Sequence, residues 1–287
     1  VSKRANHSAS PQVSAVRKDV FSSYEDELRT LYPSSEDILR EAKQLSQRRK
    51  KVKKRTISMA VLLLAVGTVV IDPAWQVETL STSIGKQATY ALPDGSSVVL
   101  NTSSDLKVEH HIRTRQLQLV QGEAAFTVNH GWRPFSVMAQ DVRVTDIGTR
   151  FNIRLKANSV RVAVLEGAVE VATGDLYQIL TTGQAIESQL GSLSHLNHIN
   201  LDHEAAWQQG KLVFNGAPLS QVVNEIQRYS AMTIHVDQAA AGMRVSGVYD
   251  IEAVETLIQD LSQSLPVEIA RTANGEVLIR KSHRLPS

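Results

Sequence analysis

Seven cations in eight residues, 48–55 (RRKKVKKR), stand just ahead of fifteen residues without a charge, 57–71 (ISMAVLLLAVGTVVI). No other feature restricts this chain as strongly. At 1.5 Å per residue, an apolar helix extended to Trp75 covers about 28 Å, close to the ~30 Å hydrocarbon core of a bilayer. A buried core helix is seldom introduced by such a basic run. A cleaved signal peptide carries its charges near residue 1, whereas about 55 residues precede this stretch. The sequence therefore predicts one membrane-spanning helix over 56–75, with Trp75 at the far interface. Arg48, Arg49, Lys50, Lys51, Lys53, Lys54 and Arg55 set its direction, because cationic flanks stay on the cytoplasmic side. The topological role accounts for the basic run, so no direct nucleic-acid contact is expected.

The charge is divided along the same line. Residues 1–47 carry seven basic and seven acidic side chains, and 56–287 carry 17 basic and 22 acidic ones. The formal charge of +2 is thus a sum over unlike regions. The chain has no Cys, which excludes disulfides, thiolate metal sites and a cysteine nucleophile.

Ahead of the span, residues 1–12 are polar. Val13, Val16, Val20, Tyr24, Leu28 and Leu31 then recur at three- and four-residue steps, the pattern of an amphipathic helix. Tyr32-Pro33 ends it, and Ser34 is placed to cap a second helix with Glu36 and Asp37 in its first turn. Ile38, Leu39, Ala42 and Leu45 form that helix's apolar face. Two short helices bury little alone, so this segment is expected to complete itself on a partner or to pack as a small helical hairpin.

Beyond the span the period changes. Val142-Arg143-Val144, Phe151-Asn152-Ile153, Val160-Arg161-Val162 and Val169-Glu170-Val171 alternate with the period of half-buried strands, separated by glycine-rich turns. Residues 78–190 are expected to form an all-β unit, either a sandwich or a solenoid-like roll. Gln121-Gly122-Glu123 is faintly echoed at Glu166-Gly167. Residues 191–206 read as a linker. From 207 to 283 strands alternate with two helices, whose faces are Leu219, Val222, Val223, Ile226 and Val254, Leu257, Ile258, Leu261. Asn274-Gly275 marks a hairpin between the last two strands. The last unit is thus expected to be a small α+β domain, β-α-β-β-α-β-β, with helices packed on a sheet.

Several strings in this region resemble the FecR family of bacterial transmembrane regulators. They are Leu92-Pro93-Asp94-Gly95-Ser96 running to Leu100-Asn101, Gly122-Glu123-Ala124 with Phe126, and Pro134-Phe135-Ser136-Val137. They continue with Val144-Thr145-Asp146-Ile147-Gly148-Thr149-Arg150-Phe151-Asn152-Ile153 and Val164-Leu165-Glu166-Gly167. The unit from about residue 207 is similar to the short N-terminal domain of secretins and TonB-dependent receptors. The resemblance implies a relay in the bacterial inner membrane, with a cytoplasmic N-terminus and periplasmic C-terminal domains. A TonB-dependent outer-membrane receptor would present its signalling domain to the C-terminal part. The cytoplasmic helices (1–55) would hold or release an extracytoplasmic-function sigma factor controlling iron, siderophore or haem uptake. Regulatory proteases are implied as further partners. Residues 1–55 lack the tryptophans that many relatives carry there. A rival reading from another class is a periplasmic structural or assembly module anchored by one span, with no sigma-factor role.

Gly148-Thr149 is the sharpest chemical candidate. A strained Gly–Thr peptide lets the threonine hydroxyl attack the preceding carbonyl, and some relatives split themselves at such a bond. This would be a single event, not turnover, and no enzyme is otherwise expected. His110, His111, His195, His198 and His203 match no established metal-ligand spacing, and no cofactor is expected. Val13, Val16, Val20, Tyr24, Leu28 and Leu31 are the candidate sigma-factor contacts. Arg228, Tyr229, Arg244 and Tyr249 are the candidate exposed contacts for a receptor signalling domain.

Overall fold

The computed structural model describes residues 27, 34–189 and 191–282, so the proposed contact residues Val13 to Leu31 lie outside it. The chain divides into two units, 1–70 and 71–287, each described by itself.

In the first unit, α1 (Ser35–Ile71) is one helix of 37 residues, about 55 Å long at the usual rise. Ser34 caps it reciprocally. The Asp37 amide donates to Ser34 Oγ (3.2 Å), and the Ser34 hydroxyl donates to Asp37 Oδ2 (2.7 Å). The expectation of a separate helix before the span is corrected. Between Ser34 and Asp72 the sequence holds no proline and a single glycine, Gly67, so nothing interrupts the hydrogen-bond ladder. Ile38, Leu39 and Leu45 are exposed on this helix. It is long and apolar enough to cross a membrane. Thr56 and Thr68 return their hydroxyls to the carbonyls of Lys53 and Ala65 (2.9 Å each), which satisfies them without water. The helix stops at Ile71, four residues short of Trp75. Asp72 takes a left-handed conformation (φ 46°) and Pro73 lacks an N–H to continue the ladder.

The second unit opens with strands β1 (Gln76–Ser81), β2 (Ala88–Ala91), β3 (Ser97–Leu100), β4 (Asp105–His110) and β5 (Arg115–Gln121). They continue as β6 (Glu123–Thr127), β7 (Phe135–Ala139), β8 (Val142–Asp146), β9 (Arg150–Lys156) and β10 (Ser159–Glu166). The set ends with β11 (Ala168–Thr173), β12 (Leu176–Thr181), β13 (Gln184–Gln189) and β14 (Ser192–Asn197). Among the described residues they form two seven-stranded sheets around one apolar core. One runs β1-β4-β5-β7-β8-β11-β12, the other β14-β13-β10-β9-β6-β3-β2. The chain passes back and forth between the sheets. The two sheets face each other across this core as in a sandwich, and every described pairing within them except β5 with β7 is antiparallel, unlike the parallel coils of a solenoid. At the core's centre Phe126 stacks on its cross-strand neighbour Phe151 (centroids 5.0 Å), and Phe135 meets it edge-on from the other sheet (6.2 Å).

The faint echo in the sequence marks two of these sheet changes. Gly122 joins β5 to β6 and Gly167 joins β10 to β11, both at positive φ (85° and 81°). A Cβ on Gly122 would lie 2.2 Å from Ser104 Oγ, and one on Gly167 would lie 2.3 Å from the Gly148 carbonyl oxygen. The backbones cross too closely there for any side chain.

The expected linker 191–206 is largely structured. Ser192–Asn197 is the edge strand β14, paired with β13. Asn200 caps α2 (Leu201–Ala205) by accepting the His203 amide (3.0 Å). After a 3-10 turn (Ala206–Gln209) come β15 (Lys211–Pro218), α3 (Leu219–Gln227), β16 (Ile234–Val236), α4 (Gln238–Ala241) and β17 (Arg244–Asp250). They are followed by α5 (Val254–Ser264), β18 (Val267–Arg271) and β19 (Val277–Lys281). The strands divide between two small sheets, β15-β17 and β16-β19-β18, where one had been expected. A second apolar core lies between them and takes in Ala125 from β6.

Candidate functional site

Where the sandwich meets the C-terminal strands and helices, a cluster of polar residues lies beside the second apolar core. Glu123 is the first residue of β6, directly after the Gly122 crossing, and is 4% exposed. Its carboxylate collects three donors: Asn101 Nδ2 (2.9 Å), Asn152 Nδ2 (2.8 Å) and Arg228 Nη2 (2.7 Å). Its amide donates to Ser104 Oγ (2.9 Å), and its carbonyl accepts the Asn101 amide (2.9 Å). Arg228 reaches Glu225 with its other arm (2.6 Å), and Arg154 on β9 holds Glu225 from the sandwich side (2.5 Å). Asn101 Nδ2 also donates to the Tyr229 hydroxyl (2.8 Å), and Thr102 donates to the Arg228 carbonyl (2.9 Å). Gln87 bridges Asn101 Oδ1 (2.9 Å) and the Trp207 carbonyl (2.8 Å).

Burial alone would push the Glu123 carboxyl up. The Arg228 and Arg154 charges and the Asn152 bond overcome this and hold it below the ordinary glutamate range. Burial pulls Arg228 down, but Glu123 and Glu225 more than reverse it, so it stays charged. The Tyr229 hydroxyl is raised, by burial first, and stays neutral. The seam is therefore a fixed ion pair held by neutral amides. Losing one partner of such a buried pair costs about 3–5 kcal/mol, because the other charge is left uncompensated.

Beside this network lies a cleft of about 760 Å³, walled by Glu123, Arg154 and Trp207 and by the length of β15. β15 pairs with β17 along one side. The four candidate receptor contacts separate here. Arg228 and Tyr229 both face the sandwich: Arg228 is half-buried and Tyr229 is 6% exposed. Arg244 is exposed on the cleft and donates to the Gly216 carbonyl (2.7 Å). Tyr249 is half-buried against Phe214 (centroids 6.0 Å).

Gly148-Thr149 lies between β8 and β9, at a third change of sheet. Gly148 has φ 96°, and the His130 ring occupies the place a Cβ would take. Asp146 Oδ2 accepts the Gly148 amide (2.9 Å), and Asp146 Oδ1 accepts the Thr149 hydroxyl. Thr149 is 4% exposed. A carboxylate thus stands ready to take a proton from a hydroxyl beside a glycyl carbonyl.

The histidines do not converge. His195 lies on β14 bonded to Gln178, His203 lies in α2, and His198 follows β14 with φ 61°. His111 bonds the Asp72 carbonyl (2.5 Å) and the Glu109 carboxylate (3.2 Å), and His110 meets Trp75 at a tilt (centroids 5.5 Å, 43° between the planes). Among the described residues no group of three or more metal-ligating side chains comes together.

The sequence reading did not identify the Glu123 site. Its signal was present in the spacing: Tyr229 falls three residues after Ile226, the next buried position on the face Leu219, Val222, Val223, Ile226.

Among known families, residues 78–170 match the profile described as FecR protein. Two crystal structures of a candidate anti-sigma factor from Parabacteroides distasonis, at 2.50 and 1.65 Å resolution, are similar in fold. Both have a TM-score of 0.62, with 23% and 24% identity. They cover 72% and 71% of this chain and 100% and 99% of their own. The likeness thus extends beyond the family-matched span. No curated protein matches the chain.

Proposed function

Because the chain belongs to the FecR family, with residues 78–170 as the matching region, we propose that it regulates a sigma factor across a membrane. The observation that carries this reading is the order of parts. A span-length helix with a basic run on its N-terminal side leads, through Asp72, into the family's β region. The name given to the two fold neighbours supports the same reading. On this reading residues 1–55 lie in the cytoplasm of a bacterial cell and engage an extracytoplasmic-function sigma factor. The sandwich and the C-terminal elements lie in the periplasm and receive the signalling domain of a TonB-dependent receptor, so that uptake genes follow the external ligand. The seam around Glu123 makes the receiving elements and the sandwich move together.

Copurification tests the output end. The sigma factor is expected to copurify with the full chain solubilised from membranes and not with a chain lacking residues 1–47. Equal recovery with both, or with neither, overturns the reading.

The Asp146 contacts favour self-cleavage at Gly148-Thr149 as part of the same function. Asp146 takes the Thr149 hydroxyl proton while Oγ1 bonds to the Gly148 carbonyl carbon. The C–N bond breaks, the threonine nitrogen gains the proton, and water then hydrolyses the ester. Two bands on denaturing electrophoresis are expected from the wild type and one from Thr149→Ala. An intact wild-type chain in membranes overturns this step.

A further inference from the structure

Three large apolar side chains stand bare at one end of the sandwich. Trp132 is 83% exposed, Trp75 67% and Ile112 57%. They come from segments far apart in sequence that the fold draws together around the residues leaving α1. Asp72 Oδ1 accepts the amides of Ile112 (2.9 Å) and Arg113 (3.0 Å), and Oδ2 accepts the Thr114 hydroxyl (2.8 Å). The Trp75 amide donates to the His110 carbonyl (3.0 Å). The loop 110–114 therefore wraps the chain at 72–75. The loop 130–134 runs alongside it: Arg133 Nη1 donates to the His111 carbonyl (3.4 Å), and the Arg115 amide donates to the Pro134 carbonyl (2.8 Å).

The carboxylates near this end are turned to partners of their own. Asp72 is taken up as just described, Asp94 by Arg115 (2.5 Å) and Glu109 by His111 (3.2 Å). Arg133 lies over the Trp132 ring (5.9 Å). A hollow of about 210 Å³ opens between the two loops, with Leu92, Val108, Leu117 and Phe135 in its wall and Trp75 and Arg133 among its residues.

We infer that this end, carried by Trp75, Ile112 and Trp132, rests in the interfacial layer of the phospholipid bilayer that α1 crosses. The inference rests on the reading of α1 as a span. Tryptophan favours the depth where an apolar ring meets headgroups, and guanidinium groups pair with lipid phosphates. Covalent continuity argues for a membrane over a protein partner, because Asp72, the residue this end grips, directly follows the last residue of α1. Another exposed apolar group serves as contrast. Leu176, Tyr177 and Ile179 lie on β12, at the opposite edge of the sheet that begins with β1.

The absence of cysteine makes the test direct. The full chain carrying Ile112→Cys, Trp132→Cys, Tyr177→Cys or Leu63→Cys is labelled with bimane. Each is reconstituted into vesicles of phosphatidylethanolamine and phosphatidylglycerol whose acyl chains bear bromine near the headgroup end, and the label at 63 also into vesicles with bromine near the methyl end. Labels at 112 and 132 are expected to be quenched several-fold more than the label at 177. Quenching at 63 with none at 112 and 132 beyond that at 177 overturns the inference and leaves the span intact. No quenching at 63 with bromine at either depth overturns the span, and the inference with it.

Discussion

Asp72 and Glu123 are both acidic side chains withdrawn from water, and both are ringed by donors, but they are held in opposite ways. Asp72 is gripped by two amides and a hydroxyl of a single loop, 112–114. Glu123 gathers side chains from β6's neighbours and from the end of α3, and one of them is a cation 105 residues away. The first arrangement shapes one turn of chain. The second joins two layers of the molecule, and its strength depends on charge in a dry place. A carboxylate's partners therefore say whether it fixes local geometry or couples distant elements.

Removing the coupling side chain is the strongest way to break this contrast. Glu123→Ala and Arg228→Ala are each expected to cost about 3–5 kcal/mol, read as a lowered denaturation midpoint. A loss below about 1 kcal/mol for both would place the seam with ordinary surface pairs. A double-mutant cycle on the two sharpens the point, with an expected coupling of about 1–3 kcal/mol. A value near zero would mean that the two side chains act through separate partners.

Acid titration comes next. Glu123 is depressed when folded, so its contribution is fully present above the unfolded value of about 4.3 and is lost as pH falls through the lower folded value. Thermal midpoints are expected to drop below about pH 4 in the wild type and less steeply in Glu123→Gln. Parallel acid limbs would remove Glu123 from the account. The smallest effect is expected at Asp72. Asp72→Asn should change overall stability little while speeding amide exchange at 112 and 113. Unchanged exchange there would refute the clamp.

Much of the sandwich is legible in the sequence because alternation is a local property. Val142-Arg143-Val144 reads as inside-outside-inside, and the structure buries the two valines and exposes the arginine. Glycine at 122 and 167 signals a turn, yet only the fold shows that each turn is a change of sheet. Pairing order depends on distant segments: β5 lies parallel to β7, and nothing in either strand announces it. The Glu123 site escaped for the same reason, since a glutamate opening a strand reads as solvated until Arg228 is brought to it. The uninterrupted α1 was legible, in the absence of any breaker between Ser34 and Asp72. A polar stretch followed by an apolar one suggested two helices, although helix propensity does not depend on that change.

The passage of the chain between the sheets bears on what a break at Gly148-Thr149 would release. The severed parts would be interleaved. The first sheet takes β1, β4, β5, β7 and β8 from one part and β11 and β12 from the other, while the second takes β2, β3 and β6 from one and β9, β10, β13 and β14 from the other. The pairings β8 to β11 and β6 to β9, five residue pairs each, would tie the fragments together. A cut chain would thus run as two pieces in detergent and as one particle in native buffer. Parting it would require pulling two sheets open like paired zips, so a mechanical load, not the chemical event, would set the moment of release.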